Sequence, residues 1–387
     1  MDVIFTAHTT DSSNGISAGS YITFNELYVN FGNAFKIHEG LFTAPQTGDY
    51  SFSFFVHASH IKIIIEKNGV DQLTIGGQGV NIAFSWIMSL NAGDMIKLKF
   101  MQGTIYIYTI SDTNAQSMIF SGKLLRSCGF MFSAYTNTCC YNVISSNGNL
   151  NFDKLLLDKG NTFAYDVFTA PLDGVFQFNF AVNTLKGEEV QIDIEKNNVV
   201  ILSFSSGKKD RANLGATWLL QLETNDEIKL KVTRGSIYSN SDATRILNGQ
   251  MVPHQTGAVM FSAFSNSGGS MNGQHIIFSK PVMANIGGGY DYSTGEFKAP
   301  VKGVYEFSTT VNSATNNHGH VMVQKSGSNV YGFMCGYYSS SYSSCHSTWI
   351  MELDKDDTIK LRSHSSYPSY IDAQRNAIFS GLLLKQT

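Results

Sequence analysis

Apolar and polar residues alternate singly along much of this chain. Tyr50, Phe52 and Phe54 are separated by Ser51 and Ser53, and an extended backbone puts the three rings on one face. Phe176, Phe178 and Phe180 repeat the arrangement, and Tyr305 and Phe307 begin it again before Thr309 breaks the set. No stretch longer than a few residues sustains a 3.6-residue period with caps at both ends, so the pattern predicts strands and turns throughout.

The turns carry their own signal. Asn68-Gly69, Asn197-Asn198 and Ser326-Gly327 read as hairpin turns between strands. A second turn position holds Gly93, Asn225 and Asp356, residue types that tolerate a left-handed backbone. That these features come in threes reflects an internal repeat. Pro45, Pro171 and Pro300 recur in order, followed by Trp86, Trp218 and Trp349. After each Trp comes one line in three versions, "WIMSLNAGDMIKLK", "WLLQLETNDEIKLK" and "WIMELDKDDTIKLR". The copies open on Phe5-Thr6-Ala7, Phe132-Ser133-Ala134 and Phe261-Ser262-Ala263, and close on "FSGKLL", "LNGQMV" and "FSGLLL".

Units of this length are whole domains, not solenoid repeats. They divide the chain into 1–126, 129–252 and 258–387, joined by very short linkers. Each is expected to be an all-β sandwich or jelly roll of about ten short strands. Tyr50, Phe52, Phe54, Phe176, Phe178, Phe180, Tyr305 and Phe307 are then either core or the contact between copies. The repetition favours cladding for a three-way contact inside one chain.

Composition narrows the class. Hydrophobic residues make up 43% and aromatics 12%, enough for packed cores, whereas charged residues at 15% fall below the roughly 25% of soluble domains. A net charge of −3 leaves no electrostatic footprint for nucleic acid or an anionic membrane. No apolar run approaches the ~20 residues of a membrane span. The N-terminal Met1-Asp2-Val3-Ile4-Phe5 lacks a basic region and an apolar signal core, so either that route is not used or this is a mature form. Five cysteines cannot all pair internally, which leaves one thiol free or bonded to another chain. Cys335 and Cys345 bracket a Tyr/Ser loop and close it if their Cα atoms lie within about 7 Å; otherwise they are buried thiols. Cys139 and Cys140 are the candidate partners of Cys128.

Each copy resembles the globular head domain of the complement C1q family, which shares a jelly-roll fold with the tumour necrosis factor group. Copy one carries "ITFNELYVNFGNAF", "FTAP", "GDYSFSF", "AGD" and "FSGKLL"; copy two carries "LNFDKLLLDKGNTF", "FTAP", "GVFQFNF" and "TND". Copy three carries "YDYSTGEF", "KAP", "GVYEF", "KDD" and "FSGLLL". Local departures are Asn248 in place of the terminal Ser and the missing Gly before Asp226 and Asp357. The resemblance implies obligate trimers, an extracellular location and calcium as an allowed ligand. No collagen-like Gly-X-Y run is present. Three copies in one chain are therefore expected to form the trimer internally, as an intramolecular pseudo-trimer.

Little in the chain points to catalysis. Nucleophile elbows, phosphate loops and zinc-protease pairs are absent from the sequence, and no spacing selects an acid/base pair. His318 and His320 share a strand face and are weak metal candidates, and His60 occupies the place equivalent to His318, but copy two has no His there. Copy three also has "MCGYYSSSYSSCHS" and "SHSSYPSY", which gather Tyr337, Tyr338, Tyr342, Tyr367 and Tyr370 among serines. Tyr with Ser suits adaptable recognition surfaces and stacking on sugars. Equivalent stretches elsewhere ("GGQGVNIAF", "SGKKDRANLG") differ, so any binding is not three-fold equivalent. The expected function is a lectin-like or pattern-recognition protein binding glycans or a protein partner. The alternative is an adhesive matrix protein linked through its odd cysteine, with cytokine-like signalling a lesser option.

Overall fold

The computed structural model describes residues 2–9, 16–77, 81–105, 118–126, 129–136, 142–208, 212–240, 244–253, 256–265, 269–313, 319–335, 344–366, 369–371 and 377–387. Among these residues the regular structure is β-strand, apart from a short 3-10 turn at Ile37–Glu39.

Copy two has the simplest layout. One 7-stranded sheet runs in the order Asn142–Ser145, Ser236–Ser239, Gly174–Thr184, Arg245–Val252, Met131–Thr136, Lys154–Lys159, with Asn213–Leu222 also pairing Gly174–Thr184. The facing 5-stranded sheet runs Phe163–Ala164, Val167–Thr169, Glu227–Arg234, Val190–Lys196, Val199–Ser206. Every pairing is antiparallel and non-sequential strands lie side by side, which is the jelly-roll sandwich. Copy three repeats the two sheets with 7 and 5 strands. In copy one the strand Gly48–Lys67 is 20 residues long and serves both sheets, so they join into one of 9 strands. Its corner is a break in register between Ser59 and Lys62, where His60 takes a left-handed φ of 53°.

The predicted turns have the expected backbone. Asn68 and Gly69, Asn197 and Asn198, and Ser326 and Gly327 all have positive φ, as do Gly93, Asn225 and Asp356. An acid one residue on clamps each post-Trp turn to the hairpin. Asp94 accepts from Lys67, Asn68 Nδ2 and the Asn91 amide; Asp226 accepts from Lys196, Asn197 Nδ2 and the Glu223 amide. Asp357 accepts from Lys325, Ser326 Oγ and the Asp354 amide. Donation from Lys67 and Asn68 holds the Asp94 carboxyl down to about 2.

Each sandwich encloses nearly the same aromatic core. Phe52 packs on Trp86 at 5.4 Å between centroids, Phe178 on Trp218 at 5.5 Å and Phe307 on Trp349 at 5.9 Å. Phe5, Phe132 and Phe261 stack on Phe35, Phe163 and Tyr290 at 4.5, 4.4 and 4.3 Å. The glycine of the closing motif makes this packing possible. A Cβ on Gly122, Gly249 or Gly381 would lie 2.4, 2.3 or 2.5 Å from the ring of Phe5, Phe132 or Phe261. All eight rings read from the alternation, Tyr50 through Phe307, are buried in the core of their own copy. The preference for cladding between copies is thereby corrected: the rings face inward, and the residues between them face the neighbouring copies.

Candidate functional site

Strand period two puts Ser51 and Ser53, Gln177 and Asn179, and Glu306 and Ser308 on the face opposite the rings. Residues of all three copies meet there. Lys123 Nζ lies 2.6 Å from Glu306 Oε2 and donates to Gln177 Oε1 at 3.3 Å. Gln177 Nε2 donates to Glu306 Oε1 at 2.6 Å, and Gln250 Nε2 donates to Gln177 Oε1 at 2.7 Å. Lys123 comes from copy one, both glutamines from copy two and the carboxylate from copy three. Lys123 and Glu306 are each 7% exposed at the side chain, so burial demands the partner each has. Beside this layer, residues from all three copies line a cavity of about 30 Å³, room for a water molecule. Gln250 Oε1 and Thr348 Oγ1, both buried without a protein partner, belong to residues on its wall.

Each pair of copies has further contacts. Between one and two, Asn213 Oδ1 accepts from the Ala83 amide at 3.2 Å, Lys159 pairs with Asp49 at 2.5 Å, and Thr244 Oγ1 donates to the Thr74 carbonyl. Asn248, the departure from the closing motif, accepts from Ser133 within its own copy and donates to the Ser85 carbonyl of copy one at 2.7 Å. Between two and three, Thr310 Oγ1 donates to the Gly215 carbonyl, and His346 Nε2 lies 2.9 Å from Thr217 Oγ1. Burial pushes the His346 imidazole down to about 3, so it is neutral here. Between three and one, Tyr28 donates to the Val330 carbonyl at 2.8 Å and Phe55 meets Phe333 edge-on at 6.2 Å.

The other sequence-derived candidates are dispersed. Tyr337, Tyr338, Tyr342, Tyr367 and His318 lie outside the described residues, as do Cys128, Cys139 and Cys140. Tyr370 is on the strand Ser369–Ile371, its backbone paired with Asn312 and Ser270. His320 is buried on Gly319–Lys325, with its ring 5.7 Å from that of His364. Cys345 is buried on Ser344–Leu353 and disulfide-bonded; Cys335 ends the neighbouring Ser328–Cys335. No group of three or more His, Cys, Asp or Glu among the described residues is placed to hold a metal ion. The turn acids Asp94, Asp226 and Asp357 do not fit calcium, since lysine and amide donors already occupy them.

A family model for the C1q domain matches residues 4–125, 131–252 and 260–384. The chain belongs to the C1q domain family. Its curated relatives include multimerin-1 of Mus musculus, 28% identical over 117 residues, and multimerin-1 of Homo sapiens, 27% identical over 115. These matches cover 28% and 27% of this chain and 9% of each relative, so the chain spans only a small part of their length. Among solved structures, the globular domain of zebrafish complement 1qA is 18% identical with a TM-score of 0.27, covering 33% of this chain and 99% of that one. C1q domains are non-enzymatic ligand-binding modules that associate in threes. No described helix is long and apolar enough to cross a membrane.

The polar layer was not picked out from the sequence, although a signal for it existed. Between the same two core aromatics the three C1q copies carry Ser51, Gln177 and Glu306, and after the closing glycine they carry Lys123, Gln250 and Leu382. Positions that differ this much beside positions that barely differ mark a surface under an asymmetric constraint.

Proposed function

We propose that this chain is a secreted, non-enzymatic recognition protein that works as a single-chain pseudo-trimer and binds a glycan or protein ligand through loops unlike in the three copies. The observation that carries the reading is the buried layer of one lysine, two glutamines and one glutamate. Three like copies meeting at that level would bury three ammonium groups or three carboxylates, each without its counter-charge. One of each copy balances the layer, and one chain supplies one of each. The short linkers favour the same arrangement, since covalent connection replaces association with an intramolecular step.

Ligand contact through the copy-three tyrosines rests on their residue type: Tyr gives rigid amphipathic area and Ser adaptable hydrogen bonds. Glycan-array binding that a free sugar competes away, and that Tyr337→Ala with Tyr342→Ala reduces at least tenfold, is the expected result. Equal binding by that double variant overturns the loop assignment. A reducible polymer with no glycan binding overturns the recognition reading in favour of the adhesive matrix protein.

A further inference from the structure

Four side chains of the seam are arranged around one carboxamide. Lys123 Nζ donates to Gln177 Oε1 at 3.3 Å and to Glu306 Oε2 at 2.6 Å. The other oxygen of that carboxylate, Oε1, accepts from Gln177 Nε2 at 2.6 Å. Glu306 thus bridges an amine and the nitrogen of an amide. On the far side, Gln250 Nε2 donates at 2.7 Å to the oxygen of the same amide. These are the parts of an acyl transfer: a nucleophile, an acyl carbon, a proton carrier and an oxyanion donor.

The surroundings suit the reaction. Lys123, Gln177, Gln250 and Glu306 are 6, 9, 7 and 5% exposed, so bulk water, the competing nucleophile, is kept out. All four line the cavity of about 30 Å³, which has room for one molecule the size of water or ammonia. The amide carbon is one C=O bond, about 1.2 Å, from the oxygen that Nζ already touches. A small swing of the lysine brings it to the near-attack range of roughly 3–3.5 Å.

We propose that Lys123 and Gln177 join through a self-catalysed isopeptide bond, a covalent lock between copies one and two. Glu306 takes a proton from the Nζ ammonium, and the freed lone pair attacks Gln177 Cδ. The carbonyl oxygen carries the resulting negative charge against Gln250 Nε2. Glu306 gives a proton to the departing nitrogen and takes one from Nζ. The Cδ–Nε2 bond breaks with its electron pair on nitrogen, the carbonyl re-forms, and ammonia leaves. Glu306 begins as a carboxylate and ends as a carboxylic acid, so the layer is neutral before and after. Until this single turnover occurs, the ion pair holds the layer. The reaction needs the three copies assembled but not the ligand of the proposed function, so the two readings fail independently.

The intact mass of the full chain, denatured and with the disulfide of Cys345 reduced, tests the proposal. A species lighter by one ammonia, growing as freshly folded protein is incubated, is the expected result. Peptide mapping should then find a branched peptide joining Lys123 to Gln177, with no tryptic cut after Lys123. Lys123→Arg keeps a cation beside Glu306 and should keep the full mass. Gln250→Met, close in volume, should slow the conversion about 100-fold. A wild-type chain that keeps its full mass throughout overturns the proposal, and that result does not depend on either variant folding. So does loss of water in place of ammonia, which would join Lys123 to Glu306. A bond that maps to another pair, or conversion at the wild-type rate in either variant, overturns it equally.

Discussion

The aromatic cores and the seam between the copies are built from alternate residues of the same strands, yet they follow opposite rules. In the cores, equivalent positions hold near-identical residues: Trp86, Trp218 and Trp349, or Phe52, Phe178 and Phe307. One step along the strand, Ser51, Gln177 and Glu306 share neither size nor charge. A core is solved within one copy, so the same answer serves three times. A seam is solved jointly by three copies, and linking them in one chain removes the need for them to be alike.

The largest effects should be those that treat the copies equally. Trp86→Ala, Trp218→Ala and Trp349→Ala each remove a fully buried indole and should cost about 3–5 kcal/mol in urea unfolding, with similar values in all three. A wide spread among them would break the symmetric half of the comparison.

Seam substitutions should be unequal. Glu306→Ala strands the Lys123 ammonium in the interior and should cost about 3–5 kcal/mol, whereas Ser51→Ala at the equivalent place should cost under about 0.5 kcal/mol. Lys123→Met combined with Glu306→Leu should recover most of the loss, because the pair is removed together. A double variant as unstable as Glu306→Ala alone would show that the charges are not partners in solution.

A third effect is a pH slope. Unfolded, His346 takes a proton below about 6.5; folded, it resists until about 3. The unfolded state therefore binds more protons in that window, and stability falls as pH drops from about 6.5 toward 3. His346→Leu should make the slope shallower by up to one proton per chain, and Thr217 keeps Asn179 as a partner at 2.7 Å. An unchanged slope would place His346 in water, away from the seam.

The smallest effects belong to the turn clamps. Asp94→Asn, Asp226→Asn and Asp357→Asn should each cost up to about 1 kcal/mol at pH 7, in near-equal measure, since their lysine partners are partly solvated. All three carboxyls are held below their ordinary value. Their contribution is present above about pH 4 and fades as pH falls, for Asp94 through about 2.

Much of the fold could be read in advance because its signals are local. Ring alternation, Asn-Gly turns and the glycine under Phe5, Phe132 and Phe261 act within one copy and recur three times. The role of the rings was misjudged because a period of two separates two faces without saying which one turns inward. Lys123, Glu306 and His346 were passed over for a different reason: each has meaning only beside a residue over a hundred positions away in another copy. Asn248, noted as a departure from the family pattern, turned out to be one of the places where copy two reaches into copy one.

The three copies of one chain close a three-way seam among themselves. Sedimentation equilibrium across a range of concentrations measures this directly. A particle of one chain, 42.6 kDa at every concentration, is the predicted result. A particle of three chains would contradict it.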